Sequence, residues 1–321
     1  LKVFTNTVLG ECYEDPNEKL DWEELKARAE PYALRMVPIG CLLITAGVDV
    51  QGDRLEVGVD GWGRGERNWT LDHFVIPGDP TRPAVWEALE KYLAQPLRNQ
   101  FGIDMHIRAT AIDSGYLTDD VLNFTRTRRQ KRIFAVKGHN IRGKQIIGRP
   151  NKVDVNWRGT VLRKSAELWM VGVDAAKHRF FARLAGDRKA ELDSERMIHF
   201  SSGLSDDYFM QLCAEIYDPN KRVWIKLHGR HNEALDIKIY AMAAAMHPAV
   251  RVHVIREPQW EELEKTLQPG NAVPNDDAGN VVPDTVAVAA VGVPAQKTQA
   301  GLTIARPQRG GSNWVMTGFR R

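Results

Sequence analysis

With 321 residues, 43% of them hydrophobic and 26% charged, the chain can bury a sizeable core in one or two domains, and its composition excludes a fibrous or low-complexity protein. A net charge of +3 is too small to name a polyanion partner, so the distribution of charge has to decide that question. Cys12, Cys41 and Cys213 are scattered without a CxxC pair, no apolar run reaches the ~18 residues of a membrane span, and no signal peptide opens the chain. A disulfide framework, a cysteine zinc site and a membrane partner are thereby set aside. The expectation is an intracellular protein and, from its start at Leu1, a piece of a longer one.

Residues 1–40 are polar and Pro-punctuated, with helical period at DWEELKARAEPYA, and read as an arm lying on the core. Three strand-like runs follow, CLLITAGVDV, RLEVGVDGWG and RNWTLDHFVIPG, joined by turn chemistry that predicts antiparallel hairpins. PAVWEALEKYLAQ (83–95) predicts a helix with Pro83 in its first turn. RATAIDSG (108–115) predicts a strand, LTDDVLNFTRTRR (117–129) a helix capped by Thr118, and RIFAVKG (132–138) a further strand. The middle, 140–230, is less regular. It suggests a strand at 168–174, helices at AAKHRFFARLAG and around DDYFMQLCAEIY, and a strand at 222–227. NEALDIKIYAMAAAMHP (232–248) carries the clearest helical signal. Beyond about Gln268 the sequence turns to Pro, Gly, Ala and Val without period and reads as a loosely attached tail. The order predicts an α/β protein, a mixed sheet flanked by helices.

Along 43–51 the two-residue period puts Thr45, Gly47, Asp49 and Gln51 on one face. Asp49 therefore ends an almost wholly apolar strand, and a buried carboxylate costs several kcal/mol unless compensated. Asp113 repeats the pattern behind Ala109 and Ala111, and strand carboxyl ends are where α/β proteins place their sites. Asp236 shares its helical face with Ile239, Tyr240 and Ala243 and so points inward, with Asn232 and Glu233 a turn earlier, while Lys238 points away. Asp174 reads as a helix cap, and Asp53, Asp60 and Asp72 as turn or exposed-face residues. Three short carboxylates in apolar settings repel one another, and hard oxygen donors of this kind suit Mg2+ or Mn2+. Any one strand-end Asp is more often a turn former, and the helical one has an arginine pair as its alternative.

Between Val121 and Val153 there is no Asp or Glu, while Arg126, Arg128, Arg129, Lys131, Arg132, Lys137, Arg142, Lys144, Arg149 and Lys152 all fall inside. A solvated basic face is the ordinary meaning of such a run. Beginning after Asp113 and punctuated by Gly138, Gly143 and Gly148, it points here to nucleic acid. Carboxylates beside a basic groove suggest phosphodiester hydrolysis with two metal ions roughly 4 Å apart, Asp49 bridging them. No GxxxxGK[ST] loop encodes ATP hydrolysis, GWGRGE (61–66) is a turn, His228 and His231 lack zinc spacing, and Ser114 lacks a GxSxG frame.

TAGVDVQGDRLEVGVDGWGRGERNW, AIDSGY, VKG and RHNEALDIKIYAMAA, in that order, resemble the C-terminal nuclease domain of the lambda-type (GpA-like) bacteriophage terminase large subunit. LKVFTNTVLGECYED resembles the segment joining that family's ATPase domain to its nuclease. The resemblance spans about 1–248. It implies a ribonuclease H-like fold and a two-metal endonuclease cutting concatemeric double-stranded phage DNA during packaging, in the host cytoplasm. It places the acidic triad on Asp49, Asp113 and Asp236, and Lys137 in a lysine-glycine motif that contacts phosphate or orients a ligand. Gln51, Asn232 and Glu233 are expected as supporting residues, and a small subunit as the partner that sets cut specificity. The division expected is 1–40 as an arm from a missing ATPase domain, 41–250 as the nuclease and 251–321 as a partly disordered tail. The end of that tail, GGSNWVMTGFRR, resembles the family's portal-docking end. The competing expectations are another ribonuclease H-like nuclease of resolvase or transposase type, and a DNA- or portal-binding module whose carboxylates are structural.

Overall fold

The computed structural model describes residues 20–139, 141–187 and 195–269. It opens on helix α1 (Trp22–Ala27), whose first turn is capped by the Asp21 carboxylate accepting from the Glu23 amide at 3.0 Å. β1 (Met36–Val37) leads into three antiparallel strands, β2 (Leu43–Val50), β3 (Arg54–Trp62) and β4 (Asn68–Pro77), as the turn chemistry predicts. Helix α2 (Pro83–Ala94) follows, then β5 (Leu97–Asn99) and β6 (Asp104–Met105), which build a small sheet with β1. β7 (Ala109–Asp113), α3 (Thr118–Arg126) and β8 (Ile133–His139) form a parallel crossover. A long hairpin, β9 (Ile147–Trp157) and β10 (Thr160–Gly172), runs directly into α4 (Val173–Asp187). β11 (Ile198–Phe200), α5 (Asp206–Leu212), the hairpin β12 (Glu215–Asp218) and β13 (Val223–Lys226), α6 (Glu233–Met246) and α7 (Glu257–Thr266) complete the described chain.

The main sheet has the order β11-β4-β3-β2-β7-β8-β10-β9. At its heart an antiparallel run β4-β3-β2 is extended on the far side of β2 by the parallel strands β7 and β8. That is the ribonuclease H-like arrangement. Period-two alternation sorts the strand residues into two apolar layers: Ile44, Ala46, Val48 and Ile112 pack with α2 and α3, and Leu43, Ala109 and Ala111 with α4 and α6.

The second layer depends on how closely α6 approaches β2. Thr45 Oγ1 donates to the Ala241 carbonyl at 2.9 Å and accepts from Trp62 Nε1 at 2.8 Å. Gly47 leaves the gap into which the helix backbone fits: a Cβ there would stand 2.1 Å from the Ile237 carbonyl oxygen and 2.7 Å from the Ala241 nitrogen. Gly58 does the same for the Ile237 side chain, which a Cβ would meet at 2.3 Å.

Several local expectations are corrected. Leu117, in the left-handed region at φ 49°, is the residue that precedes α3, and Thr118 is the first helical residue, its hydroxyl donating to the Ser114 carbonyl. Asp174 sits inside the first turn of α4 rather than capping it. The expected strand at 168–174 is only the end of β10, and the whole partner strand β9, broken at its start by Gly148 and Pro150, was not expected. The helix expected around 206–217 stops at Leu212 and gives way to β12. Asp60 and Asp72 are buried, not exposed: Asp60 takes the Lys238 ammonium at 2.8 Å, and Asp72 takes Arg35 at 3.1 Å and the Tyr92 hydroxyl at 2.7 Å. Lys238 accordingly does not point to solvent, because α6 is covered on both flanks and its ammonium finds Asp60 and the Thr70 hydroxyl. Residues 251–269, the start of the segment expected as a partly disordered tail, are folded, with α7 burying Trp260 in the core. Cys12, the rest of 1–19 and the sequence beyond Pro269 lie outside the described residues.

Gly47→Ala is expected to destabilise the protein by about 1–3 kcal/mol, the range for overpacking a close contact, and Gly47→Val by more. Thermal denaturation measures this, and an unchanged midpoint for both variants would contradict the approach of α6 to β2.

Candidate active site

The site grows from strand register. β2 and β7 pair in parallel with Thr45 beside Ala109, Gly47 beside Ala111 and Val48 beside Ile112. One step further, Asp49 and Asp113 stand level on the same face of strands about 4.8 Å apart. Asp236 enters from above in the first turn of α6. Tyr240, one helical turn later, donates its hydroxyl to Asp113, and burial first, then the charges of Asp113, Asp236 and Asp49, push its ionisation well above the usual range.

Their electrostatics follow from this crowding. Asp49 is 6% exposed, and its pKa is pushed up to about 7, by burial first and then by Asp236, Asp113 and Glu233, against the opposing hydrogen bond from Gln51. Asp236 is raised to about 6 by burial, with Lys177 opposing and Glu215 and Asp113 adding to the rise. Burial also raises Asp113, against the Gly115 and Ser114 amides, the Tyr240 hydroxyl and nearby Lys137.

The supporting positions expected from the sequence make specific contacts. Gln51 Nε2 donates to Asp49 Oδ2. Asn232 Nδ2 donates to Asp236 Oδ2 at 2.9 Å and to Glu215 Oε1 at 2.8 Å. Glu233 is buried, with Oε1 near His231 Nδ1 at 3.2 Å and Arg54 at 3.8 Å, and its Oε2 has no hydrogen-bond partner. Lys137 is exposed one residue beyond Val136, the partner of Asp113 across the sheet. Ser114 is buried and donates to the Val136 carbonyl at 2.7 Å, a structural role.

The basic stretch divides. Arg142, Lys144 and Arg149 are exposed and follow the carboxyl end of β8, the acidic end of the sheet. Arg126, Arg128, Arg129, Lys131 and Arg132 precede β8 and lie at its opposite end, because α3 carries the chain back down the sheet. There Arg128 and Lys131 bind Glu90 at 2.5 and 2.7 Å, Arg129 donates to the Ser165 carbonyl at 2.7 Å, and Arg126 to Asn123 at 2.9 Å. Nearness of this part of the run to Asp113 in sequence is not nearness in space.

Sequence reasoning missed Lys177, Glu215 and the hydroxyl of Tyr240. Tyr240 was legible as the residue four on from Asp236. Lys177 and Glu215 come from elements remote in sequence, with no local signal beyond a lysine three residues before Phe180 on an inward-facing stripe.

The donors Asp49, Asp113 and Asp236 are all hard oxygens carrying charge that burial leaves poorly relieved, which fits Mg2+ or Mn2+ and not zinc. Among the described residues no three Asp, Glu, His or Cys side chains are closed around one point as a finished coordination shell. The acids are instead held by Gln51, Tyr240, Asn232 and Lys177.

A ribonuclease H-like sheet with acids gathered at the ends of its central strands belongs to a class of folds suited to phosphodiester chemistry. The model of the family described as terminase large subunit gpA, endonuclease domain, matches residues 1–260, and the chain belongs to that family. It is 32% identical over 260 residues to the terminase large subunit of Escherichia phage lambda and 30% identical over 256 residues to that of Enterobacteria phage P21. Each match covers 76% of this chain but 38% of the relative, so the chain spans well under half the length of these proteins. The large terminase nuclease domain of bacteriophage SPP1, solved with bound Mn, aligns with a TM-score of 0.32 at 14% identity, over 65% of this chain and 95% of that one. Family membership sets aside the resolvase and transposase reading. No helix among the described residues is long and apolar enough to cross a membrane.

The raised pKa of Asp49 gives a testable sign. Its folded value, about 7, lies above the ordinary 3.8, so the folded state holds this proton more tightly and loses stability as pH rises from about 4 through 7. In EDTA, Asp49→Asn is expected to stabilise the protein at pH 7.5 by up to about 4 kcal/mol, the equivalent of the shift, and by little at pH 4. Chemical denaturation at both pH values measures it, and a destabilised variant at pH 7.5 would contradict the account.

Proposed function

We propose that this domain hydrolyses double-stranded DNA with two divalent ions, Mg2+ or Mn2+, held by Asp49, Asp113 and Asp236. The observation that supports this best is that Asp49 and Asp113 end two register-matched parallel strands while Asp236, from the inward first turn of α6, interacts electrostatically with both. Bound between them, the ions would lower the pKa of an attacking water and stabilise the leaving 3′ oxygen. The chain's own part is to hold the ligands: Gln51 fixes one oxygen of Asp49, Tyr240 and the Gly115 and Ser114 amides orient Asp113, and Asn232 orients Asp236. Lys137, Arg142, Lys144 and Arg149, at the same end of the sheet, are the side chains placed to take the phosphate backbone. Arg126, Arg128, Arg129, Lys131 and Arg132 are assigned to the far end and to no phosphate.

In the whole packaging protein the same chemistry would cut concatemeric DNA in the host cytoplasm. A terminase small subunit would set the cut site, and the residues beyond 269 would dock to the portal. Residues 1–40 would join the nuclease to an ATPase domain.

Supercoiled plasmid incubated with the protein in Mg2+, Mn2+ or EDTA tests the reading. Nicking and linearisation with either metal, absent in EDTA and lost in Asp236→Asn, is the expected result. Tyr240→Phe is expected to cut about 10–100-fold more slowly, the usual effect of removing a side chain that orients a metal ligand. Salt-sensitive DNA binding with no cleavage under any metal would favour the binding-module reading instead.

A further inference from the structure

Lys177 is a buried cation to which the proposed hydrolysis assigns no step. It stands on α4 three and four residues before Phe180 and Phe181, on the side turned into the core, and is 6% exposed. Its ammonium lies 2.6 Å from Glu215 Oε1 and 3.4 Å from Asp236 Oδ1. Asn232 Nδ2 closes the ring by donating to the same Glu215 oxygen at 2.8 Å and to the other Asp236 oxygen at 2.9 Å. Lys226 Nζ then reaches Asn232 Oδ1 at 3.1 Å, tying the β12–β13 hairpin to the start of α6. Two carboxylates, one ammonium and one amide thus form a closed cluster in which Lys177 and Glu215 are buried and Asp236 is 28% exposed, with a donor of its own chain beside each Asp236 oxygen.

The two contacts of Lys177 are unequal. With Glu215 it makes a short charged hydrogen bond at 2.6 Å, whereas its contact with Asp236 is longer and weaker at 3.4 Å. Glu215 anchors the ammonium, and Asp236 is the partner that can be released. A divalent ion bound to Asp236 Oδ1 would meet this fixed positive charge at close range, in surroundings of low dielectric where like charges interact strongly.

We infer that Lys177 is a tethered cation that competes with a divalent ion for Asp236, so that the two ion positions differ in affinity. It is a positioning residue, acting through Asp236 and anchored by Glu215. The position shared by Asp49 and Asp113 fills first, and the one that uses Asp236 stays weak until an additional negative charge, such as a DNA phosphate, joins it. This rests on the metal-dependent reading above.

The test is Mn2+ binding by the full chain without DNA, followed by isothermal titration calorimetry and by the EPR signal of free Mn2+. Wild type is expected to bind in two steps, the weaker one lost in Asp236→Asn and the stronger one lost in Asp113→Asn. The double variant Lys177→Met/Glu215→Gln keeps the net charge of wild type while removing the ammonium, and its weaker step is expected to tighten at least about threefold. Lys177→Gln/Glu215→Gln, which retains hydrogen-bonding groups, serves if the first variant does not melt cooperatively, and Lys177→Arg should keep the weak step weak. A weaker step unchanged in a folded double variant would overturn the role of Lys177 while leaving the metal-dependent reading intact. No Mn2+ binding by wild type would overturn both.

Discussion

The backbone contact between α6 and β2 at Gly47 is the constraint on which the rest of the site depends. Layers packed on a sheet through their side chains ordinarily stand about 10 Å from it. Here the Ile237 carbonyl comes so near that even one methyl group at position 47 would overlap it. The Thr45–Ala241 hydrogen bond fixes the helix along the strand, and the Lys238–Asp60 pair, buried behind it, fixes its rotation. With translation and rotation both set, Asp236 has one place to be. That place is above the ends of β2 and β7.

Such rigidity gathers charge that the protein alone does not fully neutralise. Burial and mutual repulsion both disfavour ionised Asp49, and the surrounding donors are amides, a phenol and lysines rather than a guanidinium fork. A core built only for stability would pair these acids or replace them, since unpaired buried charge costs several kcal/mol. These carboxylates are held together at a cost in stability. The ring of Lys177, Glu215, Asn232 and Asp236 compensates one acid partly and leaves Asp49 the most strained of the three.

Much of this was legible in the sequence, for reasons that can be stated. The period of two along 43–51 and 109–113 put Asp49 and Asp113 on one face, and helical period turned Asp236 inward; strand register then did what period alone could not and set the first two side by side. Charge was read less well. A run of basic residues is continuous along the chain but is broken in space by α3, which moves Arg126–Arg132 to the far end of the sheet. Asp60, Asp72 and Lys238 were misplaced because a residue's partner across the fold decides whether a charge can be buried. β9 was missed although Val153, Val155 and Trp157 alternate with polar residues, because that alternation is confined to its second half and Gly148 and Pro150 interrupt its first.

The central claim is that the charge on Asp49, Asp113 and Asp236 is there to be met by divalent cations. A crystal of the protein soaked in Mn2+, with anomalous difference density collected at the manganese edge, tests it most directly. The account predicts peaks within coordination distance of these carboxylates, with Asp49 shared between two ions at full loading. Manganese bound elsewhere, or density at the acids replaced by a direct Lys or Arg pair, would contradict it.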